Sequence, residues 1–144
     1  MQEKHNNRSL TIIISALNEE KLISKTVSEI LSVYRGTNDK YEIILVNDGS
    51  TDRTGEIMAS FSKDNPEIEV INNPEPSGLG EHFKNGIKKA RCDYIIHLSG
   101  DNEITVDGFN NLINAIGSAD LVIGNRVNAF ESRVFSLIFF PKSV

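Results

Sequence analysis

Tryptophan is absent, cysteine occurs once, as Cys92, and basic residues are outnumbered. A single thiol excludes a disulfide within these 144 residues and a zinc site built from cysteines, and it fits a reducing, cytoplasmic setting. Cys92 itself reads as a small, partly buried apolar residue beside a strand near Tyr94. The 15 Lys and Arg against 20 Asp and Glu leave a formal charge of −5, so no electrostatic footprint for nucleic acid is present. No run approaches the roughly 20 apolar residues of a membrane-spanning helix. The polar segment 1–8 lacks the apolar stretch of a secretory signal. The tail differs from that segment: Val134–Phe140 is strongly apolar. It is expected to pack as a last element or to begin one that the chain does not complete. Left uncovered, it would drive self-association or membrane-surface contact.

What remains is ordinary for a globular protein: 39% hydrophobic and 24% charged residues. The length suits one domain that buries about 70% of its unfolded surface. Strands and helices alternate in the pattern. Leu10–Ser15 is a continuous β-branched run, hence a buried strand, and Ile23, Val27, Ile30, Leu31 and Tyr34 recur at helical spacing with Asn18 or Ser15 as cap. Tyr41–Val46 is a second strand, and Ser50 or Thr51 caps a helix through Phe61 with Asp52 in its first turn. Ile68–Ile71 is a third strand, followed by a Pro/Gly-rich loop to Gly80. A helix carrying Phe83, Ile87 and Ala90 comes next, then a strand Tyr94–Leu98. The stripe Phe109, Leu112, Ile113, Ile116 marks a further helix, and Ala119–Gly124 a fifth strand. Such alternation predicts an α/β domain with a largely parallel sheet.

Three apolar runs stop abruptly on polar residues, and the carboxyl ends of parallel strands are where open α/β sheets bind ligands. After the first come Asn18 and Glu19. Glu19 either accepts hydrogen bonds from a ribose hydroxyl or base N–H, or serves as a first-turn acid favoured by the helix dipole. After the second come Asp48 and Gly49: Asp48 suits a nucleobase and Gly49 a close backbone approach, although Asp-Gly-Ser is also ordinary turn chemistry. After the fourth come Ser99, Gly100, Asp101, Asn102 and Glu103. Carboxylates at i and i+2 of an extended segment project to one side, so Asp101 and Glu103 are placed to share one cation. Magnesium takes one or two protein carboxylates and completes its shell with water and phosphate oxygens. That chemistry suits departure of a diphosphate.

Other features are weaker. Gly78 and Gly80 open a helix, whose N-terminus attracts anions, but the segment has neither the Walker Gly-Lys-Ser/Thr nor the dinucleotide glycine spacing. His97 reads as a structural histidine inside a strand, and His82 as a solvated one in a first helical turn. Arg126 follows the fifth strand and pairs either with a phosphate through its planar fork or with a surface acid.

Taken together, Ile14–Glu20, Ile44–Asp52, Gly78–Gly80 with Asn85–Ala90, Asp93–Glu103 and Gly124–Arg126 resemble the family 2 glycosyltransferases of GT-A fold. The similarity is closest to the polyprenyl-phosphate (dolichol-phosphate) sugar synthases and covers roughly residues 9–135. It implies a three-layer α/β/α domain over 9–130, flanked by a flexible 1–8 and the apolar 131–144. It also implies a nucleotide-diphospho-sugar donor, Mg²⁺ or Mn²⁺, and transfer with inversion to a polyprenyl phosphate or another glycan. The protein would then work in the cytoplasm or at the inner membrane face. On this resemblance Asp101 and Glu103 are the catalytic and metal-binding acids. Ser15, Leu17, Asn18, Glu19, Asp48, Gly49, Gly78, Ser99, Gly100 and Arg126 line the nucleotide-sugar site.

Four departures stand out. Ser15 and Leu17 replace Pro and Tyr of many relatives, Asn47 replaces a first Asp, and Ser99 replaces the first acid of the metal motif. The chain also stops soon after Arg126, where the family continues with acceptor-side elements. A nucleotide-binding or regulatory module that has lost catalysis is therefore the competing reading. A nucleotidyltransferase fits less well, because Ile14–Glu20 carries two acids where a triphosphate would want a basic loop.

Overall fold

The computed structural model describes residues 9–124. Strands and helices alternate along them: β1 (Leu10–Ala16), α1 (Ile23–Tyr34), β2 (Tyr41–Asp48), α2 (Thr54–Asp64), β3 (Ile68–Asn73), α3 (Leu79–Lys89), β4 (Tyr94–Ser99) and α4 (Val106–Ala115). The strands form one sheet in the order β3-β2-β1-β4, every pairing parallel. Central β1 is apolar almost throughout because both its faces are covered. Ile12, Ile13 and Ile14 are fully buried, worth about 2 kcal/mol each.

Alternation along the strands sorts side chains into two cores. Ile12, Ile14, Ile43 and Leu45 meet Ile23, Val27, Met58 and Phe109, so α1, α2 and α4 cover that face. Ile13, Ile44, Val46 and Ile95 meet Phe83 and Ile87 of α3 on the other. The three-layer α/β/α arrangement follows from winding. The chain steps from β1 to β2 to β3 in one direction, then returns past β1 to β4. Right-handed crossovers put α3 on the face opposite α1 and α2 once the direction reverses.

At the amino end of the sheet the polar groups close on one another. Glu42 of β2 is buried and accepts from the Thr11 hydroxyl at 2.6 Å, the Arg91 N–H at 2.5 Å and the Arg91 guanidinium at 2.7 Å. Beside it the Ser9 hydroxyl donates to Asp93, whose N–H returns to Ser9 Oγ. Cys92 is buried here as expected, its N–H 3.3 Å from Thr11 Oγ1.

The fifth strand does not form. Residues 119–124 are irregular, with Leu121 and Ile123 exposed, and among the described residues nothing pairs with the outer side of β4. An apolar run without a ladder partner has no reason to stay extended. The expectations for 1–8, for Arg126 and for the apolar tail lie outside the described residues.

Candidate functional site

Parallel register brings the carboxyl ends of β1, β2 and β4 to one rim. Ser15 stands opposite Val46 on one side and Ser99 on the other. The loop after β1 is fastened to the start of α2. Asn18 adopts a left-handed φ of 55°, and its side-chain carbonyl accepts the Thr51 N–H at 2.8 Å and the Asp52 N–H at 3.4 Å. In return Asn18 N–H reaches Ser50 Oγ, Glu19 N–H reaches Thr54 Oγ1 and Glu20 N–H reaches Asp52. Glu20 accepts the Arg53 N–H. Asp52 accepts the Thr54 N–H at 2.9 Å.

Helix capping therefore differs from the sequence expectation. Neither Ser50 nor Thr51 caps α2, and α1 starts at Leu22 with no side-chain cap from Asn18 or Ser15. The first N–H of α2, that of Thr54, is served instead by Asp52, while the N–H groups of residues 51–53 just before the helix are held by a loop some 30 residues away, a contact that no local pattern encodes.

This clamp fixes the Glu19 backbone and leaves its carboxylate without a hydrogen bond among the described residues. Partial burial raises the Glu19 carboxyl, and the negative charges of Asp101, Asp52 and Glu103 raise it further. Acids from two other loops thus lie near enough to Glu19 to act on its charge.

The turn carrying two of them is not extended. Asn102 has φ 58°, and Asp101 Oδ1 accepts the Glu103 N–H at 3.2 Å, so the i, i+2 argument for a shared face fails. Proximity comes from a tight Asx-type turn instead. The Asn102 amide, oriented to satisfy both neighbours, donates to Glu29 and accepts from Lys25. Gly100 draws this turn inward: a Cβ there would lie 2.7 Å from that of Ala16 and 3.0 Å from Ile23 Cδ1. Its N–H donates to the Ser15 carbonyl at 2.9 Å, and its own carbonyl accepts from Thr26.

Among the described residues no three His, Cys, Asp or Glu side chains stand close enough to enclose a metal ion. A site of one or two carboxylates completed by water and ligand oxygens is what a hard divalent cation such as Mg²⁺ or Mn²⁺ accepts. The mutual repulsion around Glu19 fits such a charge.

Asp48, at the end of β2, is only 3% exposed. Its Oδ1 is approached by Ser77 N–H at 2.8 Å, Ser77 Oγ at 3.0 Å, Asn73 Nδ2 at 3.1 Å and His82 Nε2 at 2.5 Å. Its Oδ2 has the Gly78 N–H at 3.4 Å. Burial alone would raise this carboxyl. The Ser77 N–H, the Asn73 amide, the His82 ring and the Ser77 hydroxyl outweigh it and hold the group far below its usual range, hence ionised.

Gly49, with φ 73°, does permit a close approach, but by the protein's own loop. A Cβ would sit 2.7 Å from the Glu75 carbonyl carbon and from Pro76 N.

The remaining predicted residues divide. Ser15 Oγ is engaged by His97 Nε2 at 2.9 Å, and Ser99 is half-buried opposite it. Burial, reinforced by His82, pushes the His97 ring down to about 4, so it is neutral at pH 7 and structural as expected. Leu17 is exposed on the rim and Gly78 caps α3.

His82 contradicts its expectation of solvation: it is 5% exposed. The signal was available, because His82 lies one turn before Gly86 and two before Ala90, the C-cap, on the stripe that α3 packs against the sheet.

A profile described as Glycosyl transferase family 2 matches residues 11–136. The dolichyl-phosphate beta-glucosyltransferase ALG5A of Trichomonas vaginalis is 31% identical over 128 residues, covering 81% of this chain and 40% of that protein. A mannosyltransferase from Pyrobaculum calidifontis, solved with GDP-Man and Mn²⁺, superposes with a TM-score of 0.66 at 19% identity, covering 78% of this chain and 33% of its own. The S. aureus TarS fragment 1–349 with UDP-GlcNAc gives 0.65 at 19% identity, covering 80% and 33%. This chain thus spans about 40% of the length of the curated relative, and the fold it shares with both solved structures is the α/β layer described above.

Proposed function

The chain belongs to glycosyl transferase family 2, and we propose that it binds a nucleotide-diphospho-sugar and passes the sugar, with inversion, to a polyprenyl phosphate. The observation that carries this reading is the convergence of Glu19, Asp52, Asp101 and Glu103 on one rim beside an Asp48 held ionised. In this reading Asp48 accepts an N–H from the nucleobase and Glu19 faces the ribose. Asp101 and Glu103 would hold Mg²⁺ or Mn²⁺. The bound cation supplies neutralisation of the charge that grows on the departing diphosphate, where each 1.36 kcal/mol or so of stabilisation is tenfold in rate.

The chain's own contribution is placement. The clamp between residues 18–20 and 50–54 fixes Glu19, and the packing of Gly100 on Ala16 sets how far Asp101 stands from β1. A phosphate acceptor is already a nucleophile and needs no strong protein base. The acceptor assignment draws support from the dolichyl-phosphate relative, and the metal from the neighbour solved with Mn²⁺. Because a polyprenyl phosphate is a membrane lipid, the reading sets the acceptor side at a membrane surface, facing the cytoplasm.

Thermal shift with UDP and GDP, each with and without Mn²⁺, tests the donor half. A nucleoside diphosphate should raise Tm only when the metal is present, and Asp101→Ala should abolish the response. A response that Asp101→Ala leaves intact would overturn the metal assignment. Nucleotide binding with no transfer to a polyprenyl phosphate would favour a binding module instead.

A further inference from the structure

His82 has no part in the reaction as proposed, yet its surroundings are unusual. The ring is buried on the sheet-facing side of α3. Its Nε2 lies 2.5 Å from Asp48 Oδ1 but off the line of the ring N–H, so neither nitrogen completes an aligned hydrogen bond, and Nδ1 has no partner among the described residues. Buried polar atoms in native folds are almost always satisfied, and an exception calls for a reason. The rest of the inner side of α3 is small or apolar, with Gly86 and Ala90 buried and Phe83 and Ile87 packed on the sheet. A leucine at 82 would satisfy packing without the orphan nitrogens. The charged and titratable groups facing this ring from the sheet are Asp48 of β2 and His97 of β4.

We propose that His82 is a positioning residue for nucleotide binding. It holds Oδ1 of Asp48 from beneath, so that Oδ2, met among the described residues only by the Gly78 N–H at 3.4 Å, is the oxygen presented to the N–H edge of a nucleobase. The inference rests on the donor-site reading above and goes beyond it by giving Asp48 an orienting partner. Ser77 and Asn73 also grip Oδ1, Ser77 from an exposed loop and Asn73 from the last position of β3, on the edge of the described sheet. His82 grips it from a packed helix.

The test uses the 144-residue chain with UDP and GDP in the presence of Mn²⁺, comparing wild type, His82→Leu and His82→Gln by calorimetry and by melting temperature. Leucine removes the ring nitrogens and keeps bulk, so Tm should hold or rise while nucleoside diphosphate affinity falls by about tenfold, the loss expected for one misplaced hydrogen bond to a charged group. Glutamine can place its amide N–H near the position of Nε2 and should recover affinity to within about threefold of wild type. Stability and affinity moving in opposite directions, with recovery by glutamine, is a pattern that a space-filling histidine cannot give. Equal affinity in wild type and His82→Leu, or no advantage of glutamine over leucine, would overturn the assignment. If wild type bound neither nucleotide, the donor-site reading itself would fail and this inference with it.

Discussion

At the amino end of the sheet Glu42 lies buried between Thr11 and Arg91, while at the carboxyl end Glu19 stands among Asp52, Asp101 and Glu103. Both are glutamates next to the same three strands, and their environments push them in opposite directions. Burial works to raise the Glu42 carboxyl, but the Thr11 hydroxyl, the Arg91 N–H and the Arg91 guanidinium overcome it and bring it below the ordinary value. Glu19 is raised by burial and by every acid that faces it, and no cation is among the groups that shift it. One end has completed its own electrostatics. The other leaves Glu19 facing only like charges among the groups that shift it, the kind of perturbed acid that clusters at functional sites.

The largest effect that can break this contrast is expected at Glu42. Glu42→Ala strands the Thr11 hydroxyl and the Arg91 N–H, and unfolding in urea should show a loss of about 3 kcal/mol, or roughly 10 °C in Tm. A loss under about 1 kcal/mol would mean that water or neighbours replace the carboxylate easily.

Acid titration should show a smaller effect of the same origin. Because Glu42 has a folded pKa below its unfolded one, its contribution is fully present above the unfolded value. It disappears as pH falls through the folded value. Glu19, raised in the folded state, sheds its penalty as pH falls from its folded value toward the ordinary glutamate value, above the range in which Glu42 loses its contribution. Glu42→Gln should therefore flatten the fall in Tm on acidification, and an unchanged slope would show that other groups set it.

The smallest effect has the opposite sign. Asp101→Asn keeps an oxygen for the Glu103 N–H but removes one repelling charge. Without nucleotide or metal it should stabilise the chain by about 0.5 kcal/mol, while binding is lost. Destabilisation in the metal-free protein would mean that the carboxyl-end acids do not repel as described.

The strands were legible because β-branched runs such as Leu10–Ser15 need two covered faces, and the helices because their apolar stripes keep a single phase. Strand ends came within two residues: β1 runs to Ala16, β2 to Asp48 and β3 to Asn73. What the pattern missed depends on contacts distant in sequence. Asn18 holds the turn that leads into α2 from across the rim, Gly49 makes room for Pro76, and Asn102 turns out of the extended conformation, where its amide meets Lys25 and Glu29. The rim acids themselves were readable, since each follows a strand directly. Whether Ala119–Gly124 forms a strand could not be read locally, because a strand is defined by its partner.

The strand order has a temporal consequence. During synthesis β1 meets β2 early, whereas β4 reaches the other side of β1 only when Ser9 and Asp93, 84 positions apart, come together. Closing so long a span is slow compared with local pairing. Until then the isoleucines of β1 present an open edge to other nascent chains, the kind of edge that invites aggregation. The acidic turn arrives with β4, joining strands that have already paired. Mutations that delay β4 would thus lower the yield of protein from the ribosome before they altered the behaviour of the finished molecule.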